Sequence, residues 1–234
     1  MTDREQILNR YLTLEKKIQE ASGSFGGCKI LPVTKTIDTE RILFLKEAGV
    51  RTIGENRVQE AMEKLDALKD AFEFHIIGRM QTNKCKYAVK FATCIQSLDR
   101  LELAEALQRA LLKENKTIEA YVEVNIGNDP NKAGILKDDV PAILKALRAY
   151  ENLSVTGLMT VAPIVENAQD ARGYFRDMRI LFDEMKSAPG GEKIRHLSMG
   201  MSKDCIVAAQ EGATVVRVGS TIFGPRVYPT AETL

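Results

Sequence analysis

Short apolar, β-branched runs recur along the chain, separated by longer stretches whose apolar residues fall at helical spacing. Eight such runs can be read: CKILPVTK, RTIGE, FEFHIIG, TCIQSL, TIEAYVEVNI, LSVTGLMTVAP, IRHLSMG and TVVRVGSTIFG. Between them Ile42, Leu45 and Ala48, or Leu101, Ala104, Leu107 and Leu111, share one face of a helix. Ahead of the first run, MTDREQILNRYLTLEKKIQEASG has the pattern of a charged amphipathic helix. Asn56 with Gln59, and Asp99 with Glu102, have capping-box spacing, and Gly49 is placed to end a helix. Strand and helix alternate without a Pro/Gly/Ser-rich linker, which predicts parallel strands joined by crossover helices. Eight repeats favour a closed (β/α)8 barrel of the TIM type with an extra N-terminal helix, forming one domain over residues 1–234. TCIQSL is the weakest of the strand patterns and keeps an open sheet as the alternative.

Composition narrows the function classes. Lys and Arg number 33 against 32 Asp and Glu, a net charge of +1, so the chain lacks the basic footprint of a nucleic-acid binder. Its apolar runs are strand-sized and interrupted by charge, and the opening helix has no signal-peptide core. A cytoplasmic protein without membrane contact is expected. Cys28, Cys85, Cys94 and Cys205 form no CxxC pair and only two histidines accompany them, too few ligands at useful spacing for a metal site or a disulfide framework. Reduced core thiols are the expectation.

The candidate chemistry begins with KILPVTKT, which puts Lys35 at the end of a buried-strand pattern. In a barrel the active face lies where strands end and βα loops begin. Alternation groups Leu31, Val33 and Lys35 on one face of the first strand and Val215, Arg217 and Gly219 on one face of the last. Closure makes those strands neighbours, so two cations are expected to share one lumen and to require an anion. The loops SMGMS and VGS follow the seventh and eighth strands, where barrels often bind phosphate. Ser202 stands at the start of the helix pattern KDCIVAAQ, and Gly200 and Gly219 allow close backbone approach. Each piece has an ordinary alternative. Lys35 can snorkel into water, Arg217 can pair with a core carboxylate such as Glu123, MGMS can be a turn and a cap, and His75 fits a hydrogen-bonded core position. The coincidence of several oddities on one face favours a phosphate pocket beside an amine.

These residues carry a resemblance that runs through nearly the whole chain: VTKT at 33, IGENRVQE at 53, HIIGRMQTNK at 75, VNIGNDPNKAGI at 124, GLMTVAP at 157, and LSMGMSKDCIVAAQEGATVVRVGSTIFGPR at 197–226. The chain resembles the pyridoxal phosphate homeostasis protein family, single-domain barrels similar to the N-terminal domain of alanine racemase. The resemblance implies that Lys35 binds pyridoxal 5'-phosphate as a Schiff base and that Ser202, Gly219 and Ser220 hold the phosphate. It further implies that Arg217 faces the pyridine nitrogen, that Asn56 lies near the ring, and that Met199 lines the pocket. Arg79, Met80 and Asp129 depart from the family's usual residues and bear on loop contacts to partners or substrates.

A lysine attacks an aldehyde only as the free amine, so partial desolvation beside Arg217 is expected to ease Schiff-base formation. A guanidinium facing the ring nitrogen also disfavours the pyridinium form that makes the cofactor its strongest electron sink. In alanine racemases a tyrosine of a second domain works on the opposite face, whereas here PRVYPTAETL follows the eighth strand and Tyr228 is expected to pack or meet solvent. The reading is a monomeric carrier that holds pyridoxal phosphate and hands it to apo-enzymes, without turnover. An amino-acid racemase and a cofactor-free Schiff-base aldolase are the alternatives.

Overall fold

The protein is described from a computed structural model, over residues 1–225. All eight runs contain strands: β1 (Lys29–Pro32), β2 (Thr52–Glu55), β3 (Glu73–Ile76), β4 (Ala92–Leu98), β5 (Ile118–Val124), β6 (Leu153–Thr160), β7 (His196–Ser198) and β8 (Val215–Val218). They form one parallel sheet in the order β1-β8-β7-β6-β5-β4-β3-β2. A parallel bridge between Val33 and Gly54, with the Thr34 amide donating to the Gly54 carbonyl at 3.0 Å, joins its ends. The (β/α)8 barrel expected from the eight-fold alternation is therefore formed. TCIQSL, the weakest pattern, lies within a seven-residue strand.

The helices cover the outside: α1 (Asp3–Ser22), α2 (Thr39–Leu43), α3 (Val58–Leu68), α4 (Cys85–Ala88), α5 (Leu101–Glu114), α6 (Val140–Leu147), α7 (Arg172–Met185), α8 (Cys205–Gln210) and α9 (Ser220–Phe223). The expected N-terminal helix is α1. Thr2 and Glu5 close a capping box at its start, and Ile7, Tyr11, Leu14 and Ile18 bury a single stripe. Most buried apolar side chains form one core between sheet and helices, while Cys94, Tyr121 and Met159 form a second, small cluster on β4, β5 and β6. Period-two alternation assigns that second cluster to the barrel interior, together with Gln96 and Glu123. The four cysteines are buried and free, as their spacing suggested, and burial raises the thiols of Cys28, Cys85 and Cys205 to about 12, 11 and 11.

Several local expectations are corrected. Neither proposed capping box forms: the N-cap residues of α3 and α5 are Arg57 and Arg100, each one position later, and no side chain caps either helix. A real cap needs an extended residue whose side chain folds back on the first turn, which spacing alone does not guarantee. The last run is not strand to its end, because β8 stops at Val218 and Ser220–Phe223 turn into α9. Gly49 does end a helical segment, at φ 76°. No helix of the described residues is long and apolar enough to cross a membrane, and the described residues contain no cluster of three or more potential metal ligands. Tyr228 lies outside the described residues.

Candidate functional site

In the register of β1 and β8, Leu31 lies opposite Arg217 and Pro32 opposite Val218, so the first and last strands are neighbours as the closed barrel requires. Arg217 is 4% exposed and points into the barrel. Its guanidinium donates from Nη1 to Ser198 Oγ at 2.9 Å and from Nη2 to the Thr160 carbonyl at 2.8 Å. Ser198 donates in turn to Gln96 Oε1 at 2.7 Å, and the Gln96 amide nitrogen is 2.9 Å from His75 Nδ1. This chain of partners crosses the lumen and fixes the guanidinium. Burial pulls the Arg217 pKa down to about 10, against the attraction of Glu123 and Asp204, so it stays a cation at neutral pH. His75 is a hydrogen-bonded interior residue, as expected, and desolvation lowers its pKa to about 4.

Above this layer, at the C-terminal ends of the strands, lies a cavity of 310 Å³. Lys35, Asn56, Ser202, Arg217 and Gly219 all line it. Five residues from separate parts of the chain, singled out by sequence, thus meet at one place. The other two expected there do not line it. Met199 is fully buried in the main core, because alternation turns Ser198 inwards and Met199 outwards. Gly200 then adopts φ 89° and Met201, two residues on, lines the cavity instead. Ser220 is exposed at the first position of α9, directly after Gly219. Ser202 does not begin a helix: α8 starts at Cys205, and Asp204 Oδ1 closes the preceding turn by accepting from the Met201 amide at 2.6 Å.

Sequence reasoning weighed Glu123 only as an ion-pair partner for Arg217. It is 8% exposed, lines the same cavity and has no charged partner within 4.0 Å among the described residues. Burial, reinforced by Asp99 and opposed by Arg217 and Arg79, raises its pKa to about 7. The inward face shared with Tyr121 was the signal that could have found it. Arg79, noted only as a departure from the family pattern, also lines the cavity, as do the apolar Val33, Ile77 and Val161. At Gly78 the backbone of β3 approaches β2 so closely that a Cβ would lie 2.4 Å from the Asn56 carbonyl oxygen.

The turn that carries Lys35 is braced from outside the lumen. Lys64 of α3 donates to the Thr34 carbonyl at 2.8 Å, to Glu55 Oε1 at 2.8 Å and to Glu60 Oε1 at 2.7 Å. Thr34 Oγ1 also donates to Glu55 Oε1, at 2.6 Å, and the Thr36 amide donates to Glu60. Glu55 is fully buried, its Oε2 has no hydrogen-bond partner among the described residues, and burial raises its pKa despite Lys64. For Glu60 burial is outweighed by the bonds from Lys64 and the Thr36 amide, and its pKa is lowered. Thr36 sits at φ 63°, a strained value for a β-branched residue. Lys35 itself is half-buried.

A cavity near the lower end of the small-molecule range, with three cations, a hydroxyl, a carboxyl and apolar walls, suits a small anion. Known proteins resemble this chain over most of its length. Residues 10–227 match the family described as alanine racemase, N-terminal domain. The "Pyridoxal phosphate homeostasis protein" of Aquifex aeolicus is 41% identical over 223 residues, covering 94% of this chain and 97% of that protein. The solved structure of PipY from Synechococcus elongatus without PLP is 33% identical with a TM-score of 0.85, and that of PipY with PLP bound is 32% identical with a TM-score of 0.83. Each covers 94% of this chain and 100% of its own.

Proposed function

This chain belongs to the pyridoxal phosphate homeostasis protein family, within the alanine racemase N-terminal domain family, and on that premise we propose that it binds pyridoxal 5'-phosphate as a Schiff base on Lys35. The observation that carries this reading is the convergence of Lys35, Arg217, Ser202 and Gly219 on one 310 Å³ cavity. The cofactor supplies an aldehyde for covalent capture and an anionic phosphate for anchoring.

In this reading Lys35 Nζ provides the nucleophile. Its turn is held at Thr34 and Thr36 by the Lys64, Glu55 and Glu60 cluster, so the backbone from which the amine projects is fixed. Ser202 and the backbone at Gly219 receive the phosphate, with Ser220 next in the chain, and Asn56 borders the ring. Arg217, immobilised by Ser198 and Thr160, presents a permanent donor that cannot take a proton from a ring nitrogen. That withholds full electron-sink character and favours holding the cofactor over chemistry at an amino-acid α-carbon. Storage of the cofactor and its delivery to apo-enzymes fit this preference, and the proposal takes the carrier to be cytoplasmic and monomeric.

A second reading, an amino-acid racemase, is favoured by Glu123. Its carboxyl is inside the cavity with a pKa near 7, the range suited to proton exchange. Two measurements separate the possibilities. The protein reconstituted with pyridoxal phosphate is expected to be yellow and Lys35→Ala colourless; a variant that retains the imine absorption removes Lys35 from its role. Interconversion of amino-acid enantiomers with solvent deuterium entering the α-position at a catalytic rate, lost in Glu123→Gln, establishes the racemase instead.

A further inference from the structure

The same rim carries a second concave feature that the cofactor reading leaves unused. It is a groove of 620 Å³ at the ends of β2, β3 and β4, and Arg57, Arg79, Lys84 and Arg100 line it. None of its lining residues is acidic. In a chain with 33 basic and 32 acidic residues, four cations without a carboxylate around one groove is a marked local imbalance.

Asp99 lies behind the wall, its side chain 4% exposed, and it neutralises only part of that charge. Arg100 is hydrogen-bonded to it and also donates from Nη2 to the Met80 carbonyl at 3.0 Å, which fixes its guanidinium. Arg79 Nε is 3.5 Å from the same carboxylate, with its side chain 73% exposed. Neither Arg57 nor Lys84 has a carboxylate within 4.0 Å among the described residues. Arg57 is also the N-cap residue of α3, whose first turn no side chain caps; Glu60 in that turn is drawn to Arg57 and offsets part of the positive charge, but it does not line the groove. The floor is apolar: Val58, Ile76 and Met80 are each no more than 4% exposed. A half-open concave volume in the small-molecule range over an apolar floor fits a compact organic ligand better than an extended strand of nucleic acid.

We propose that this groove is a second anion site, taking a small organic molecule with two or more negative charges, as carboxylates or a phosphate ester, beside the cofactor cavity. The two share Asn56 and Arg79. Arg57 and Lys84 supply the uncompensated attraction, Arg100 is the fixed donor, and Arg79 stands between the two cavities.

The test is calorimetric titration of the full chain with citrate, and separately with glycerol 3-phosphate, a phosphate ester that has neither the ring nor the aldehyde of the cofactor. Saturable one-to-one binding is expected for at least one probe, and which probe binds identifies the ligand chemistry. Arg57→Gln with Lys84→Gln should weaken it at least about tenfold, as should raising salt from about 20 to about 200 mM. Ser202→Ala, in the cofactor cavity, should leave it unchanged. This last comparison keeps the groove separate from the cofactor reading: binding that disappears with Ser202→Ala and survives the double substitution belongs to the cofactor cavity and overturns the proposal. Absence of saturable binding of both probes to the folded parent, or equal binding to the parent and to a double variant of equal melting temperature, overturns it as well.

Discussion

Lys64 Nζ lies 2.8 Å from the carbonyl oxygen of Thr34, the residue immediately before Lys35. The same ammonium satisfies Glu55 and Glu60, and Glu60 in turn accepts the amide of Thr36, the residue immediately after. A helix on the outside of the barrel thus grips the backbone on both sides of the proposed attachment residue. Lys64→Met removes the shared cation and leaves the fully buried Glu55 uncompensated, so a loss of about 3 kcal/mol in unfolding free energy is expected by urea denaturation. Adding Glu55→Met should restore much of that stability, because the pair is removed together. Cofactor capture should remain slow in the double variant, since the Thr34 carbonyl is still unheld; capture at the parent rate would show that the brace does not position Lys35.

Gly200 takes φ 89°, and a Cβ there would lie 2.4 Å from the Ala208 side chain. Gly200→Ala therefore meets both backbone strain and a clash with α8, and a destabilisation of about 2 kcal/mol is expected. The displaced segment carries Met201 and Ser202, so cofactor affinity should fall as well. A variant with parent stability and affinity would contradict this account of the loop.

Glu123 gives stability a defined pH dependence. Its pKa is raised to about 7 in the folded protein, against an ordinary value of 4.5. The folded state therefore holds a proton that the unfolded state releases, and the associated stability is present below pH 4.5 and lost as pH rises through 7. Glu123→Gln removes this dependence. Relative to the parent it should gain roughly 3 kcal/mol between the acidic and alkaline ends of that window. Equal differences on both sides of neutrality in denaturant melts would show that Glu123 does not titrate there.

Ser202 lines the cavity whereas Ser220 is exposed beside it. Ser202→Ala is expected to weaken pyridoxal phosphate binding about tenfold, the value of one hydrogen bond to a charged group. Ser220→Ala should cost less. If the order is reversed in equilibrium titrations, the phosphate is held further along α9 than proposed.

Much of the barrel was legible because β-branched runs and helical spacing are local signals, and all eight runs contain strands. Alternation also grouped Lys35 with Arg217, and both line the cavity, although Lys35 lies in a turn three residues past the end of β1. Met199 was expected in the cavity from the family resemblance, whereas alternation turns it outwards into the core. Beyond it the positive φ of Gly200 re-aims the chain, and Met201 reaches the cavity, which alternation does not foresee. The helix starts at Arg57 and Arg100 escaped because extended arginines serve as N-cap residues without side-chain caps. Lys64 was invisible for a different reason. A lysine within an amphipathic helix looks solvated, and its burial depends on Glu55 and Thr34 arriving from two other elements.

The central claim is tested most directly by borohydride reduction of the protein with pyridoxal phosphate, followed by peptide mapping. The account predicts one pyridoxyl group per chain, on the peptide ILPVTKTIDTER at residues 30–41, which trypsin leaves uncut at modified Lys35. A label spread over surface lysines, or stoichiometric modification at a single lysine elsewhere, would contradict it.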